Sequence, residues 1–271
     1  MLFLGGRADL LEKHFETLAH FHLAGWSVTS FDWRGQGGSG RFSGDARVGH
    51  CTDFAPLVGD LAALWRDWSA AGEGPRAAVA HSMGGHLLLR AMVERRVDPD
   101  AAVLVAPMLG VRSPVGAWLG ARVAALAGRL GGSARPAWRE AEGALATRAR
   151  MALLTHDPGR FADEAWWYAR HPDLRLGPPS WGWIEEAFRS GAALRNDARL
   201  GTLTTPVLML VADQDRLVDS RLARRVAARL PGAELVRFGR EAAHEILREV
   251  DPVRNAALAA IDGFLDRHAA R

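Results

Sequence analysis

The chain has 271 residues, 48% hydrophobic and 24% charged, with a formal net charge of +3 and a single cysteine, Cys51. This is the composition of a soluble globular protein long enough to bury a core, and one cysteine excludes an internal disulfide framework or a Cys-based zinc site. The pI of about 9.9 comes almost wholly from scattered arginines, Lys13 being the only lysine, which argues against a nucleic-acid footprint and leaves at most a weak attraction to anionic lipid headgroups.

In chain order, short apolar runs alternate with longer segments of helical period. The first strand is expected over residues 1–4, followed by the glycine-containing loop Gly5-Gly6-Arg7-Ala8-Asp9 and a helix over 11–24. A strand over 26–31, a helix over 53–71 and a strand over 76–80 come next, then a helix over 83–95 and a strand over 101–106. The rhythm breaks between 107 and 203, where Gly and Pro split helical patterns at 115–130, 138–154, 160–169 and 181–194. It resumes with a strand over 206–212, a helix over 220–230, a strand over 234–238 and a closing helix over 252–268. Such alternation predicts a mostly parallel sheet flanked by helices. The core therefore spans 1–106 and 204–271, with a helical lid inserted at 107–203. That insert holds six of the ten tryptophans, Trp118, Trp138, Trp166, Trp167, Trp181 and Trp183, read mainly as lid core, with Trp181 and Trp183 assigned to substrate. No N-terminal signal pattern and no run of about 18 apolar residues is visible, so a cytoplasmic protein, in contact with a membrane at most peripherally, is expected.

The strongest local signal is Ala80-His81-Ser82-Met83-Gly84-Gly85, which joins an apolar strand to a helix. A serine on such a turn is strained and exposed to substrate, and its neighbours two residues away must be small, as Ala80 and Gly84 are. A serine hydroxyl needs a base, and the base needs an orienting acid. The loop after the strand at 206–212 offers Asp213, Asp215 and Asp219. Asp215 is the expected acid, Asp213 the reserve, and Asp219 a helix N-cap. His244 lies in the loop after the last strand and is the expected base; His14, His20 and His22 on the first helix read as surface or structural. His81 is expected to line the pocket. Two backbone N–H groups must receive the oxyanion: Met83, after the serine, and one from the Gly5–Asp9 loop, with Ala8 the first choice and Arg7 the second. Arg7 is also assigned to substrate.

These motifs, with Phe31-Asp32-Trp33-Arg34-Gly35-Gln36-Gly37, His244-Glu245-Ile246-Leu247 and the pieces 154–158 and 177–181, resemble the α/β-hydrolase branch of bacterial lysophospholipases and monoacylglycerol lipases, which includes serine aminopeptidase-like enzymes. The resemblance covers nearly the whole chain. It implies the nucleophile at Ser82, the acid at Asp215, the base at His244, oxyanion donors near Ala8 and on Met83, and ester hydrolysis through an acyl-enzyme. It implies no metal or organic cofactor. Two departures stand out: many relatives carry His-Gly where this chain has Gly6-Arg7, and relatives have further strands before its first one, so the usual first strands look missing; either the start lies upstream or the sheet is genuinely shortened, which would expose one edge. The expected substrate is a lysophospholipid or a monoacylglycerol. Rival readings are an esterase or aminopeptidase on small soluble substrates, and a non-catalytic binding protein on a hydrolase scaffold.

Overall fold

Three runs, Ala77–His81, Ala101–Val105 and Val207–Ala212, are buried at every position. Strands without a polar face must be covered on both sides, which is the condition of a central parallel sheet. The computed structural model, which describes residues 1–141 and 143–270, builds that sheet. Strands β1 (Leu2–Leu4), β2 (Thr29–Phe31), β3 (Ala77–His81), β4 (Ala101–Val105), β5 (Val207–Ala212) and β6 (Glu234–Phe238) run in the order β2-β1-β3-β4-β5-β6. Every pairing is parallel.

Alternate residues of each strand feed two separate cores. Leu2, Leu4, Ala78, Ala80, Leu104 and Met209 face one side with α2 (Ala55–Ala71) and α3 (Met83–Val93). Phe3, Val79, Val103, Val105, Leu208 and Leu210 face the other with α1 (Phe15–Leu23) and α9 (Asp251–His268). The period of two along a strand thus sorts the chain into the layers of a doubly covered sheet.

The segment between β4 and β5 contains no named strand among the described residues. It supplies α4 (Ala117–Gly131), α5 (Ala144–Leu154), α6 (Pro158–Arg170) and α7 (Trp181–Asn196), before α8 (Ser220–Ala227) returns the chain to the sheet. The caps explain the sharper boundaries: the Asp157, Ser180 and Asp219 side chains accept from the N–H groups of Arg160, Trp183 and Arg221. The helix expected over 138–154 is corrected to start at Ala144, after Gly143 at φ 92°. The strand expected over 26–31 is also shortened, because Trp26 turns into the α1 side of the core and pairing begins at Thr29.

Helix α4 is built inside out. It packs against α7, and the residues facing inward are small: a Cβ on Gly120 would lie 3.1 Å from the Phe188 ring, and Ala124 and Gly128 are buried. Its large residues point away, with Trp118 69%, Leu126 57% and Leu130 81% exposed. The expectation that the lid tryptophans form a core is therefore corrected. Trp118, Trp138 and Trp166 are exposed, and of the six only Trp183 is buried.

Candidate active site

The turn from β3 to α3 holds Ser82 at φ 51° and ψ −113°, a conformation L-residues avoid unless the surroundings enforce it. Here backbone does the enforcing. A Cβ on Gly84 would sit 2.5 Å from the Gly5 carbonyl oxygen and 2.7 Å from that of Leu4, so α3 is pressed against β1 with no room for a side chain. The Ser82 N–H donates to the Val105 carbonyl at 3.0 Å, and the Ser82 carbonyl accepts from Met108 at 2.9 Å. The hydroxyl is thereby fixed at the C-terminal edge of the sheet, where loops from several strands meet.

Two of those loops bring the other side chains expected from the sequence. His244 Nε2 lies 2.9 Å from Ser82 Oγ, and His244 Nδ1 lies 2.6 Å from Asp215 Oδ2. The other carboxylate oxygen of Asp215 accepts from the N–H groups of Leu217 at 2.8 Å and Val218 at 3.0 Å. Burial opposes ionisation of Asp215, but the His244 ring and these amides outweigh it and hold its carboxyl below the ordinary carboxylate range. For His244 burial again opposes the charge, and Asp215, with Glu245 and Asp9 further off, prevails and raises it above an ordinary histidine. The reserve acid, Asp213, is turned outward and pairs with Arg237 at 2.6 Å. Asp219 caps α8, as expected.

Met83 opens α3, so its N–H has no intrahelical acceptor and points where a helix N-terminus attracts negative charge. The loop before α1 gives a different partner from the one first expected. The Ala8 N–H donates to Gln36 Oε1 at 3.2 Å, and the Gly6 N–H donates to Asp9 Oδ2 at 2.6 Å. Between them the Arg7 N–H makes no hydrogen bond among the described residues. The engagement of the Ala8 N–H speaks for Arg7, the second choice, over Ala8, the first. The loop adjoins the serine closely: a Cβ on Gly6 would lie 3.0 Å from that of Ser82.

His81, Trp181 and Trp183 fall in three different places. Trp183 lines the narrow cleft beside Met83 together with Arg7 and Leu176. Trp181 does not border that cleft; its N–H donates to the Arg135 carbonyl at 3.0 Å within the inserted segment. His81 lies behind the base, its ring 4.9 Å from that of His244 and its Nδ1 3.1 Å from Asp9 Oδ2.

Asp9 belongs to a buried charge cluster that sequence reasoning missed. Lys13 Nζ lies 2.6 Å from Asp9 Oδ1, 2.7 Å from Glu245 Oε1 and 3.5 Å from Glu164 Oε2. Arg248 meets Glu245 at 2.6 Å and Arg150 meets Glu164 at 2.5 Å. One ammonium therefore ties the oxyanion loop, the loop of the base and α6 of the inserted segment. Its trace in the sequence is the solitary lysine of an arginine-rich chain. Lys13→Met is expected to destabilise the fold by about 3–5 kcal/mol, because the buried carboxylates lose their shared counter-charge. Urea unfolding measures this, and a loss under about 1 kcal/mol would contradict the assignment.

Comparison with known proteins places this geometry in a family. The family model Hydrolase_4, described as serine aminopeptidase, S33, matches residues 1–251. The chain belongs to that family of hydrolases. Lysophospholipase L2 of Escherichia coli strain K12 is 35% identical to this hydrolase over 280 residues, spanning 97% of this chain and 79% of the relative. Probable lysophospholipase L2 of Haemophilus influenzae is 27% identical, over 98% of this chain and 83% of its own. Among solved structures, a soluble variant of monoglyceride lipase from Saccharomyces cerevisiae superposes with a TM-score of 0.76 at 20% identity, covering 100% of this chain and 86% of its own. The monoacylglycerol lipase of Paleococcus ferrophilus gives 0.73 at 20% identity, covering 98% and 93%. These structures share the α/β-hydrolase fold with this hydrolase.

Proposed function

We propose that this hydrolase cleaves the carboxylic ester of single-chain lipids, lysophospholipids or monoacylglycerols, through an acyl-serine intermediate. The observation that carries the proposal is the continuous line of hydrogen-bonding atoms from Asp215 through His244 to Ser82, at 2.6 and 2.9 Å. Ser82 Oγ attacks the ester carbonyl carbon while His244 Nε2 takes its proton. The carbonyl π electrons move to oxygen, which the N–H groups of Met83 and Arg7 receive. Collapse breaks the bond to the alcohol, which leaves with the proton from His244. Water then repeats the sequence on the acyl-serine and releases the fatty acid.

The relatives named lysophospholipase L2 support the lipid substrate. The cleft beside Met83 has no carboxylate among its described lining residues, so the ammonium of a peptide N-terminus would find no counter-charge there. Turnover of lysophosphatidylcholine and a monoacylglycerol should exceed that of aminoacyl p-nitroanilides by at least about a hundredfold in kcat/KM, and faster amide cleavage would reject the proposal.

The outward face of α4 suits a bilayer that presents these substrates. Its exposed apolar residues are interleaved with Arg122 and Arg129, and it has no acidic residue. Among the described residues no helix is long and apolar enough to cross a membrane, so contact through α4 is peripheral. Flotation with phosphatidylglycerol vesicles, weakened by Leu126→Glu with Leu130→Glu, is the expected result; unchanged flotation of that variant contradicts the role of α4.

A further inference from the structure

We propose that Arg7 binds a phosphate group carried by the substrate's alcohol portion, so that the site selects a lysophospholipid over a neutral monoacylglycerol; this rests on the ester-hydrolase reading above. The Arg7 guanidinium stands over the Trp183 ring at 5.3 Å, and its Nη2 donates to the Gly177 carbonyl at 2.5 Å. Its Nε is buried and has no hydrogen-bond partner among the described residues. The cleft it shares with Met83 is lined by Arg34, Gln36, His50 and Trp183 among others, and by no Asp or Glu among the described residues.

Arg34 is already satisfied by Asp60, with its Nε 2.6 Å from Oδ2. Arg7 is not. Burial lowers its guanidinium to about 10, and the charged groups acting on it include no Asp or Glu. A largely desolvated cation with no counter-ion among the described residues is costly to keep, and an anion that arrives with the ligand would offset that cost. The planar guanidinium, held by the Gly177 carbonyl and a cation–π contact with Trp183, matches the oxygens of a phosphate.

Position makes the ligand specific. The Arg7 N–H faces the developing oxyanion, and the side chain of the same residue reaches into the cleft. One residue thus meets two negative centres, the reacting oxygen and a second anion. In a lysophospholipid the ester and the phosphate are separated by a glycerol backbone. A monoacylglycerol has only a hydroxyl at the second position and leaves the guanidinium uncompensated. A bracing role alone, Arg7 fastening the Gly177 segment to the oxyanion loop, would affect all substrates alike.

The test compares lysophosphatidic acid and the monoacylglycerol with the same acyl chain, in the same detergent. The ratio of their kcat/KM values should favour the phosphate-bearing ester in the wild type and fall about 30-fold in Arg7→Met, as expected for loss of a hydrogen bond to a charged group. Arg7→Lys, which keeps the charge, should recover part of the ratio. A ratio unmoved by Arg7→Met overturns the inference and leaves the bracing role. A wild type that cleaves neither ester rejects the ester-hydrolase reading itself. Should Arg7→Met fail to fold, the wild type still decides. Glycerol 3-phosphate should inhibit competitively where glycerol does not, and absence of that inhibition overturns the inference. Inorganic phosphate serves as the control, and equal inhibition by it would assign the site to free phosphate and not to a headgroup.

Discussion

Ser82→Ala is expected to lower kcat for ester hydrolysis about 10⁶-fold, roughly 8 kcal/mol of barrier. The loss is that large because the remaining groups have nothing to act on: His244 would have no hydroxyl to deprotonate, and the two oxyanion N–H groups would meet only a ground-state carbonyl. The backbone should stay in place, since Ser82 is held at φ 51° by the contacts of Gly84 and by the Val105 and Met108 hydrogen bonds, none of which uses the hydroxyl. An unchanged melting temperature would confirm that the fold survives. Residual activity above about 1% of wild type would mean that another group attacks the ester.

Asp215→Asn should cost about 10⁴-fold in kcat, and the structure supplies the reason. Asp215 Oδ1 is pinned by the N–H groups of Leu217 and Val218. An asparagine would keep its carbonyl oxygen on those two donors and present its NH₂ to His244 Nδ1. The imidazole proton would then be driven to Nε2, where it can no longer accept the Ser82 proton. The pH profile should report the same exchange. In the proposed mechanism neutral His244 is the active base, and Asp215 holds its titration above the ordinary value of 6.5, so wild-type kcat/KM should fall with acid through a pH above 6.5. Removing the carboxylate charge should move that limb to lower pH. A limb that stays in place, or a loss below tenfold, would show that Asp215 does not orient the base.

Much of this was legible in the sequence for a physical reason. Buried parallel strands have no polar face, so β3, β4 and β5 read as unbroken apolar runs, and the elbow at Ser82 stands directly after one of them. Asp215 and His244, which the structure places 2.6 Å apart, each lie in the loop following a recognisable strand, where the carboxyl ends of a parallel sheet converge. What the sequence could not show depends on distant partners. The choice between Ala8 and Arg7 turns on Gln36, from a loop beyond β2, whose Oε1 accepts from the Ala8 N–H. The Lys13 cluster joins residues as far apart as Asp9 and Glu245, which no local pattern relates. The tryptophans of α4 and α6 misled because aromatic residues usually signal a core. In α4 the small residues Gly120, Ala124 and Gly128 take the inner positions and leave Trp118 outside.

The central claim is that Ser82 is a nucleophile primed by His244. Incubation with a fluorophosphonate, followed by peptide mass spectrometry, tests it most directly. A stoichiometric adduct on Ser82, formed far more slowly in His244→Ala, is the predicted result. An unlabelled serine in the folded wild type, or an adduct on another residue, would contradict it.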